Sequence, residues 1–159
     1  MKYIKIEPEV IVGLGDRSDI DFSSKFAKIN HLHISLEDWL GDDLVECYPA
    51  FFVTNDLKIG MEKEHFTGFE IKSFELTFDE GYEDNSTIDI KPNFWWLEVT
   101  YQKGDDIYID ENKVLNVTES LYQFLQKYNL KQCTKFEDNP EIDAIFAAFE
   151  KKGSLKIKN

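Results

Sequence analysis

Two stretches of the sequence share one pattern: VTNDLKIGMEKEHF at residues 53–66 and VTESLYQFLQKYNL at residues 117–130, offset by 64 residues throughout. In both, a threonine suited to cap a helix follows a short apolar run, and large apolar residues recur at the spacing of an amphipathic helix. Each stretch therefore predicts a strand that passes into a helix. Either the chain contains a duplicated strand–helix–strand unit, or any capped helix leaving a strand would share this pattern.

Alternating apolar and polar residues predict strands around these two units. In residues 29–36 the alternation predicts a half-buried strand with His31 and His33 on its exposed face. Residues 69–78 predict one long strand with a bulge near Ser73, where the alternation changes phase. The segment 107–109 is expected to return as a hairpin on the strand before it. Further strands are predicted at residues 3–7, 10–14, 50–53, 95–101 and 115–117.

A third helix is predicted near the end of the sequence. Asn139 suits the N-cap, Pro140 suits the first helical position, and Gly153 suits the exit from the helix. The complete set of elements predicts one α+β domain over residues 1–159, with a mostly antiparallel sheet and about three helices.

Composition favours a globular cytoplasmic protein. The sequence has no apolar run of the roughly 20 residues that span a bilayer, and its start has no hydrophobic segment typical of a signal peptide. Only two cysteines are present, Cys47 and Cys133. A secreted domain of this size that depends on disulfides would carry more, so we expect two free thiols in a reducing compartment.

The net charge of −13 limits the classes of partner. An acidic surface repels nucleic acid and anionic membranes and attracts basic proteins. The acidity is concentrated in residues 51–112, which hold fifteen acidic and five basic residues. This distribution is that of a directional binding face, although solubility alone would also explain an acidic composition.

No motif indicates catalysis or a bound cofactor. His31 and His33 share one strand face and could clamp a metal, but two polar residues on the wet face of a strand are the simpler interpretation. The sequence has no metal-binding motif, no phosphate-binding glycine loop and no recognisable nucleophile–base spacing. We therefore predict a protein that is not an enzyme and that binds neither metal nor other cofactor.

Two acidic loops are the first candidates for partner binding. Carboxylates in such loops are expected to be solvated, so either they form a protein-binding edge or they are only a polar surface. The two loops contain Asp79, Glu80, Glu83 and Asp84, and Asp105, Asp106, Asp110 and Glu111.

The predicted strand at 95–101 adds two aromatic candidates, Phe94 and Trp96. Adjacent strand residues face opposite sides, so if Trp95, Leu97 and Tyr101 face the core, Phe94 and Trp96 face away from it. Either a second layer covers them, or they are exposed aromatics beside acids, the composition of a binding hot spot.

The segment Tyr48–Thr54 that enters the first helix, together with residues 66–71 and 110–133, resembles small bacterial immunity proteins that neutralise polymorphic toxins. The resemblance covers residues 43–137 and includes no catalytic residue. It implies an inhibitor that binds a cognate toxin domain and blocks its active site. An acidic inhibitor would suit a basic toxin, because complementary charge speeds association and selects the partner.

Two other functions remain open on the sequence alone. The many aromatic residues could line a small-molecule pocket in a binding or regulatory domain, which a deep apolar pocket with converging polar groups would favour. A hydrolase that uses carboxylates is a third class, and a buried acid pair with a perturbed pKa would favour it.

Overall fold

The computed structural model describes residues 1–86 and 90–136. The helix predicted from Asn139 lies outside these residues. The helices are α1 (Asn55–Lys63), α2 (Tyr82–Asn85) and α3 (Glu119–Leu125). The strands are β1 (Tyr3–Glu7), β2 (Glu9–Val10), β3 (Asp19–Asp21), β4 (Lys28–His31), β5 (His33–Leu36), β6 (Leu44–Cys47), β7 (Ala50–Thr54), β8 (Phe69–Lys72), β9 (Glu75–Phe78), β10 (Phe94–Val99), β11 (Ile107–Ile109), β12 (Leu115–Thr118) and β13 (Thr134–Lys135).

Within residues 1–86 and 90–136, the strands form two larger and two smaller sheets. The five-stranded sheet has the order β2-β6-β7-β10-β8, and the four-stranded sheet has the order β11-β12-β1-β13. The hairpin β3–β4 and the parallel pair β5–β9 complete the set. Most pairings are antiparallel, and β2–β6 is the other parallel one. The predicted α+β class with a mostly antiparallel sheet is confirmed.

The two similar stretches adopt the same arrangement. Each consists of a hairpin, a helix and a further strand: β6–β7–α1–β8 in the first and β11–β12–α3–β13 in the second. In each, a strand from outside the unit is inserted between the hairpin and the last strand, β10 in the first and β1 in the second. Leu97 of the inserted strand β10 pairs with Ile71, and Ile6 of the inserted strand β1 pairs with Lys135. Ile71 and Lys135 are again 64 positions apart. The structural match therefore extends beyond the two capped helices.

The N-cap threonine of each helix is held by an aspartate from the start of its own hairpin. Thr54 accepts a hydrogen bond from the backbone N–H of Leu57 and donates one to Asp43 at 2.7 Å. The second carboxylate oxygen of Asp43 accepts from the backbone N–H of Asn129, which follows the other helix, at 2.8 Å. The cap of the first unit is thus tied to the end of the second.

The second unit makes the corresponding contact, with its cap tied to the segment that follows the helix of the first unit. Thr118 accepts from the N–H of Leu121 and donates to Asp106 at 3.2 Å. Asp106 also accepts from the backbone N–H and the hydroxyl of Thr67, which follows the first helix. The two units are therefore joined reciprocally, each aspartate satisfying donors of both.

The five-stranded sheet separates two hydrophobic cores. The first core lies between this sheet, the four-stranded sheet and the helices, and it includes Leu57, Val117 and Leu121. The second core lies on the opposite face, against β5 and the segment around Trp39, and it includes Phe52. A sheet packed on both faces explains why β7 is apolar throughout, since all five of its residues are buried.

Phe94 and Trp96 belong to the second core. They are 6% and 9% exposed, and Phe94 makes an edge-to-face contact with Trp39 at 5.6 Å. The interpretation in which a second layer covers them is therefore correct, and the expectation of exposed aromatic anchors at these two positions is wrong. The covering layer consists of segments remote in sequence, which strand alternation does not report.

Several predicted strands are interrupted where the chain changes sheet. The segment 29–36 divides into β4 and β5, and the segment 69–78 divides into β8 and β9, because the halves pair with different partners. Strand β11 pairs with β12 rather than returning on β10. Tyr101, expected in the core, lies beyond the end of β10 and is 36% exposed. The loop predicted at 79–85 contains the short helix α2.

Within the described residues, no helix is long and apolar enough to cross a membrane.

Candidate functional site

The first group of predicted acidic residues surrounds α2. Asp79, Glu80, Glu83 and Asp84 are exposed, while Tyr82 of the same helix is buried in the second core. Glu83 has a distant ion pair with a lysine, at 4.0 Å. These carboxylates are accessible to a partner, but no exposed aromatic residue accompanies them among the contacts that the structure describes.

The second group of predicted acidic residues surrounds β11 and has mixed roles. Asp105 and Glu111 are exposed, and Glu111 lies 3.6 Å from the ammonium of Lys25. Asp106 is engaged by Thr67 and Thr118, as described above. Its carboxylate joins the two units of the fold, and its contact with a partner stays a prediction.

Asp110 also has a structural role. Its carboxylate accepts hydrogen bonds from the Asn116 amide at 2.9 Å and from the backbone N–H groups of Asn112 and Val114. Burial opposes ionisation, but these hydrogen bonds outweigh it, and the pKa of Asp110 lies below its ordinary value. An acceptor so fully used inside the fold has little capacity left for a partner.

A cleft of about 810 Å³ lies between the start of β4 and the adjoining ends of β8 and β10. Of the predicted site residues, it brings together only Trp96 and Asp105. Neither a histidine, a cysteine nor a serine is among the described residues of its lining. The chemistry available at this surface is therefore recognition by aromatic rings and carboxylates.

Four aromatic rings, three exposed and that of Phe26 half-buried, cluster at one end of the cleft. Phe26 stacks on Tyr101 with ring centroids 4.1 Å apart, and Phe22 stacks on Tyr48 at 6.3 Å. Phe22 is 53% and Tyr48 56% exposed. Tyr48, Phe26 and Tyr101 also line one small pocket, so the two stacked pairs are neighbours. We call these four residues the aromatic patch.

Carboxylates border the cleft beside the aromatic patch. Glu70 and Glu98 are directly opposite each other on β8 and β10. Lys72 lies between them, 3.8 Å from Glu70 and 2.9 Å from Glu98, so one ammonium serves two carboxylates. Asp105 is a third carboxylate of the wall, against which Lys28 and Lys72 supply two ammonium groups, so the cleft carries a small excess of negative charge.

A small pocket of about 20 Å³ that is lined by Glu46 shares Phe26, Ala50 and Tyr101 with the cleft, and we call it the inner end of the cleft. Glu46 lies on β6, where Val45 and Cys47 point into the second core. Because side chains alternate along a strand, the side chain of Glu46 lies on the opposite face of the sheet, the same face as that of Leu44. Burial, and secondarily the charge of Glu7, raises the pKa of Glu46 to about 7. Its carboxylate has no hydrogen bond or ion pair within the described part of the chain. An acid in this state can exchange a proton near neutral pH or bind a cation.

His31 and His33 have separate roles. His31 is exposed and contacts Glu75 at 3.1 Å, and Arg17 also donates to Glu75. His33 is 3% exposed, which corrects its predicted position on a wet face. The segment at Gly15 packs on its ring, and Thr77 lies 2.8 Å from its Nε2. In the described ranges no group of three His, Cys, Asp or Glu residues is placed to hold a metal ion.

Both cysteines are free thiols, as expected. Burial raises the pKa of Cys47, and it raises the pKa of Cys133 to about 11, with a further effect from nearby carboxylates.

We expect both thiols to be unreactive in the folded protein. At pH 8 a thiol with a pKa of about 11 is ionised in roughly one molecule in a thousand, and the thiolate is the reactive form. Iodoacetamide at pH 8 should therefore modify neither Cys47 nor Cys133 appreciably within minutes, whereas both should react in 6 M guanidinium. Rapid labelling of the native protein, measured by mass spectrometry, would contradict the burial of Cys47 and the partial burial of Cys133.

The aromatic patch was not predicted from the sequence. The available signal was the presence of Phe22 and Phe26 in an otherwise polar segment, together with Tyr48 at a tight turn. Tyr101 gave no such signal, because its spacing matched the core face of the preceding strand.

Comparison with known proteins gives no relative for this chain: no family model matches it, and neither a curated protein nor a solved structure is significantly similar.

Proposed function

We propose that this chain is an immunity protein that binds and neutralises a cognate, basic toxin domain through the aromatic patch and the acidic cleft beside it. The observation that carries the proposal is the grouping of Phe22, Phe26, Tyr48 and Tyr101 on one surface next to carboxylates. Aromatic residues supply the desolvated centre of protein interfaces, and charges at the rim speed the encounter. The net charge of −13 favours a basic partner.

The proposal moves the expected centre of binding from Phe94 and Trp96 to the aromatic patch. The interface predicted from the sequence and the aromatic patch have the same kind of composition, aromatic rings beside acidic residues. Of the acidic residues predicted to contact the partner, Asp105 is the one that adjoins the patch. Asp79, Glu80, Glu83, Asp84 and Glu111 are exposed and would affect association mainly through long-range charge.

The proposal is tested by isolating the partner and then changing the patch. Products of the adjacent genes in the source bacterium are the first candidates for the toxin. Neutralisation should be measured directly, as restored growth of a strain that produces the toxin. If no product of an adjacent gene binds the chain or is neutralised by it, the proposal is wrong.

With a partner in hand, we expect Tyr48→Ala to weaken binding by about thirtyfold or more, which corresponds to about 2 kcal/mol, mainly through faster dissociation. Tyr48 is highly exposed, so its removal should leave the fold intact. Phe136→Ala is the matched control, since Phe136 is 46% exposed and does not line the cleft. Surface plasmon resonance separates the two rate constants. Equal effects of both changes would place the interface elsewhere.

Charge reversal gives a second, separable result. Asp105→Lys should lower the association rate and reduce its dependence on salt, because Asp105 borders the cleft. Glu83→Lys, in α2, changes the net charge equally but lies outside the cleft lining. A larger effect of Glu83→Lys would assign the docking surface to the region around α2.

A small-molecule-binding or regulatory domain is the second candidate. The cleft volume of about 810 Å³ falls within the range of ligand pockets, roughly 300–1,000 Å³. A ligand in the cleft should raise the melting temperature of the protein in a metabolite screen. Such a shift, abolished by Tyr101→Ala and found without any protein partner, would favour this function.

A further inference from the structure

We infer that the inner end of the cleft is a receptor for the primary ammonium group of a lysine side chain on the partner, with the Glu46 carboxylate as its counter-ion and the rings of Phe26, Tyr48 and Tyr101 as its walls. The inference rests on the proposed function and specifies the chemistry that the partner presents to this site. Three features support it: a carboxylate without a counter-ion among the described residues, an aromatic wall that already contacts ammonium groups, and the size of the pocket.

The first feature is the unpaired acid. Glu46 is partly buried on β6, opposite Phe51 in the sheet register. Within the described residues its carboxylate has neither a hydrogen-bond donor nor a cation, and the nearby charge of Glu7 has the same sign. A buried charge is favourable only when it is paired. Lys113 lines the same pocket, but its ammonium makes no ion pair with Glu46, so within the described residues the carboxylate has no counter-ion.

The second feature is the wall. The ammonium of Lys113 lies over the Phe26 ring, 4.3 Å from its centroid, and that of Lys25 lies at 5.9 Å. Aromatic faces attract ammonium groups through the ring quadrupole. Lys113 donates its hydrogen bond to the backbone carbonyl of Lys25, and no ion pair joins it to Glu46 in the described structure. The site thus attracts ammonium groups but leaves its acid free.

The third feature is size. A pocket of about 20 Å³ holds one water-sized group, since about 10–15 Å³ suffices for a water. A primary ammonium has this size, whereas the planar guanidinium of arginine is larger and presents a rigid fork. The wider cleft outside the pocket accommodates the methylene stem of a lysine, which packs on apolar surface. The geometry therefore selects lysine over arginine.

The receptor should be sensitive to pH, because only the ionised acid attracts a cation. With a pKa of about 7, the ionised fraction of Glu46 falls about tenfold from pH 8 to pH 6. Cys133, with a pKa of about 11, and Tyr101, whose pKa burial raises, stay protonated over this range. The titratable groups around the site are Glu7 on β1, Cys47 on β6, Cys133, Tyr48, Tyr101 and Lys113.

The experiment uses n-butylammonium chloride as a probe of the lysine end group. At pH 8 it should cause saturable NMR shifts in the rings of Tyr48 and Tyr101, with a Kd on the order of 1 mM. Between pH 8 and pH 6 the affinity should fall about tenfold. Propylguanidinium should bind at least several-fold more weakly, and n-butanol should not saturate.

Glu46→Gln should weaken butylammonium binding about tenfold or more at pH 8 and remove its pH dependence. Glu64→Gln is the matched control and should leave the affinity within about twofold, because Glu64 is exposed and lines neither the cleft nor the pocket. Retained amide dispersion shows that each variant is folded. Shifts that do not saturate, or that are equal in Glu46→Gln, overturn the inference, as does a preference for propylguanidinium.

The outcomes for the receptor and for the proposed function are distinguishable. A neutralised toxin whose affinity is the same for the original chain and for Glu46→Gln would overturn the lysine receptor and leave the immunity function standing. Butylammonium binding that depends on Glu46, without neutralisation of any toxin from an adjacent gene, would support the receptor and count against the immunity function.

Discussion

Replacing Trp96 with alanine is expected to lower the free energy of unfolding by about 3–5 kcal/mol, the usual cost of removing a large aromatic side chain from a core. Trp96 is 9% exposed and packs in the second core with Phe52 and Phe94. The ammonium of Lys72 lies 5.3 Å from the Trp96 ring and would lose this contact as well. Chemical unfolding in urea, followed by circular dichroism, measures the effect.

Phe22→Ala is the control for this prediction. Phe22 is 53% exposed and belongs to the aromatic patch, so its removal should change the free energy of unfolding by less than about 1 kcal/mol. The two variants separate a core role from a binding role. If Trp96→Ala leaves stability unchanged and weakens partner binding, Trp96 is an interface anchor and the second core is incorrectly described.

Replacing Glu46 with glutamine is expected to stabilise the protein by about 3 kcal/mol at pH 8 and to have little effect near pH 4. The pKa of Glu46 is about 7 in the folded protein, against an ordinary value of 4.5. The folded state therefore holds this proton more tightly than the unfolded chain. The raised pKa of Glu46 therefore leaves the free energy of unfolding at its highest below pH 4.5. This free energy declines as the pH rises from 4.5 through 7, where the folded protein loses the proton. Glutamine is neutral at every pH and removes this decline.

The matched control, Glu75→Gln, should act in the opposite direction. Hydrogen bonds from Arg17 and His31 lower the pKa of Glu75 to about 2. The ionised form is therefore favoured by folding, and its contribution is present above pH 4.5 and is lost as pH falls through about 2. Urea unfolding at pH 4 and pH 8 tests both variants. Equal stability of Glu46→Gln and the original chain at pH 8 would show that the Glu46 carboxylate is solvated.

The stabilisation expected from Glu46→Gln also bears on function. Residues that serve binding or catalysis often lower the stability of the folded protein, and a destabilising carboxylate at Glu46 would fit this pattern. The opposite effects predicted for this variant, greater stability and weaker binding of an ammonium group, would together distinguish a receptor from an ordinary core position.

The parts of the fold that depend on neighbours in sequence were predictable. Helices α1 and α3 begin after Thr54 and Thr118 as expected, because a cap and an apolar stripe act within a few residues. The strands at Tyr3–Glu7 and Leu115–Thr118 also lie where alternation and apolar runs place them. Their mutual pairing, with β1 inserted in the second unit, could not be foreseen, because it joins segments more than a hundred residues apart.

Burial was decided by the tertiary structure alone. The sequence placed Phe94 and Trp96 on one side of a strand and Tyr101 on the other, but only packing determines which side is covered. A sheet with cores on both faces buries the first two, and the end of β10 at Val99 leaves Tyr101 beside the cleft. The raised pKa of Glu46 has the same origin, since desolvation depends on every group packed around it. The candidate site assembles residues near positions 22, 46, 48 and 101, and only the folded chain brings them together.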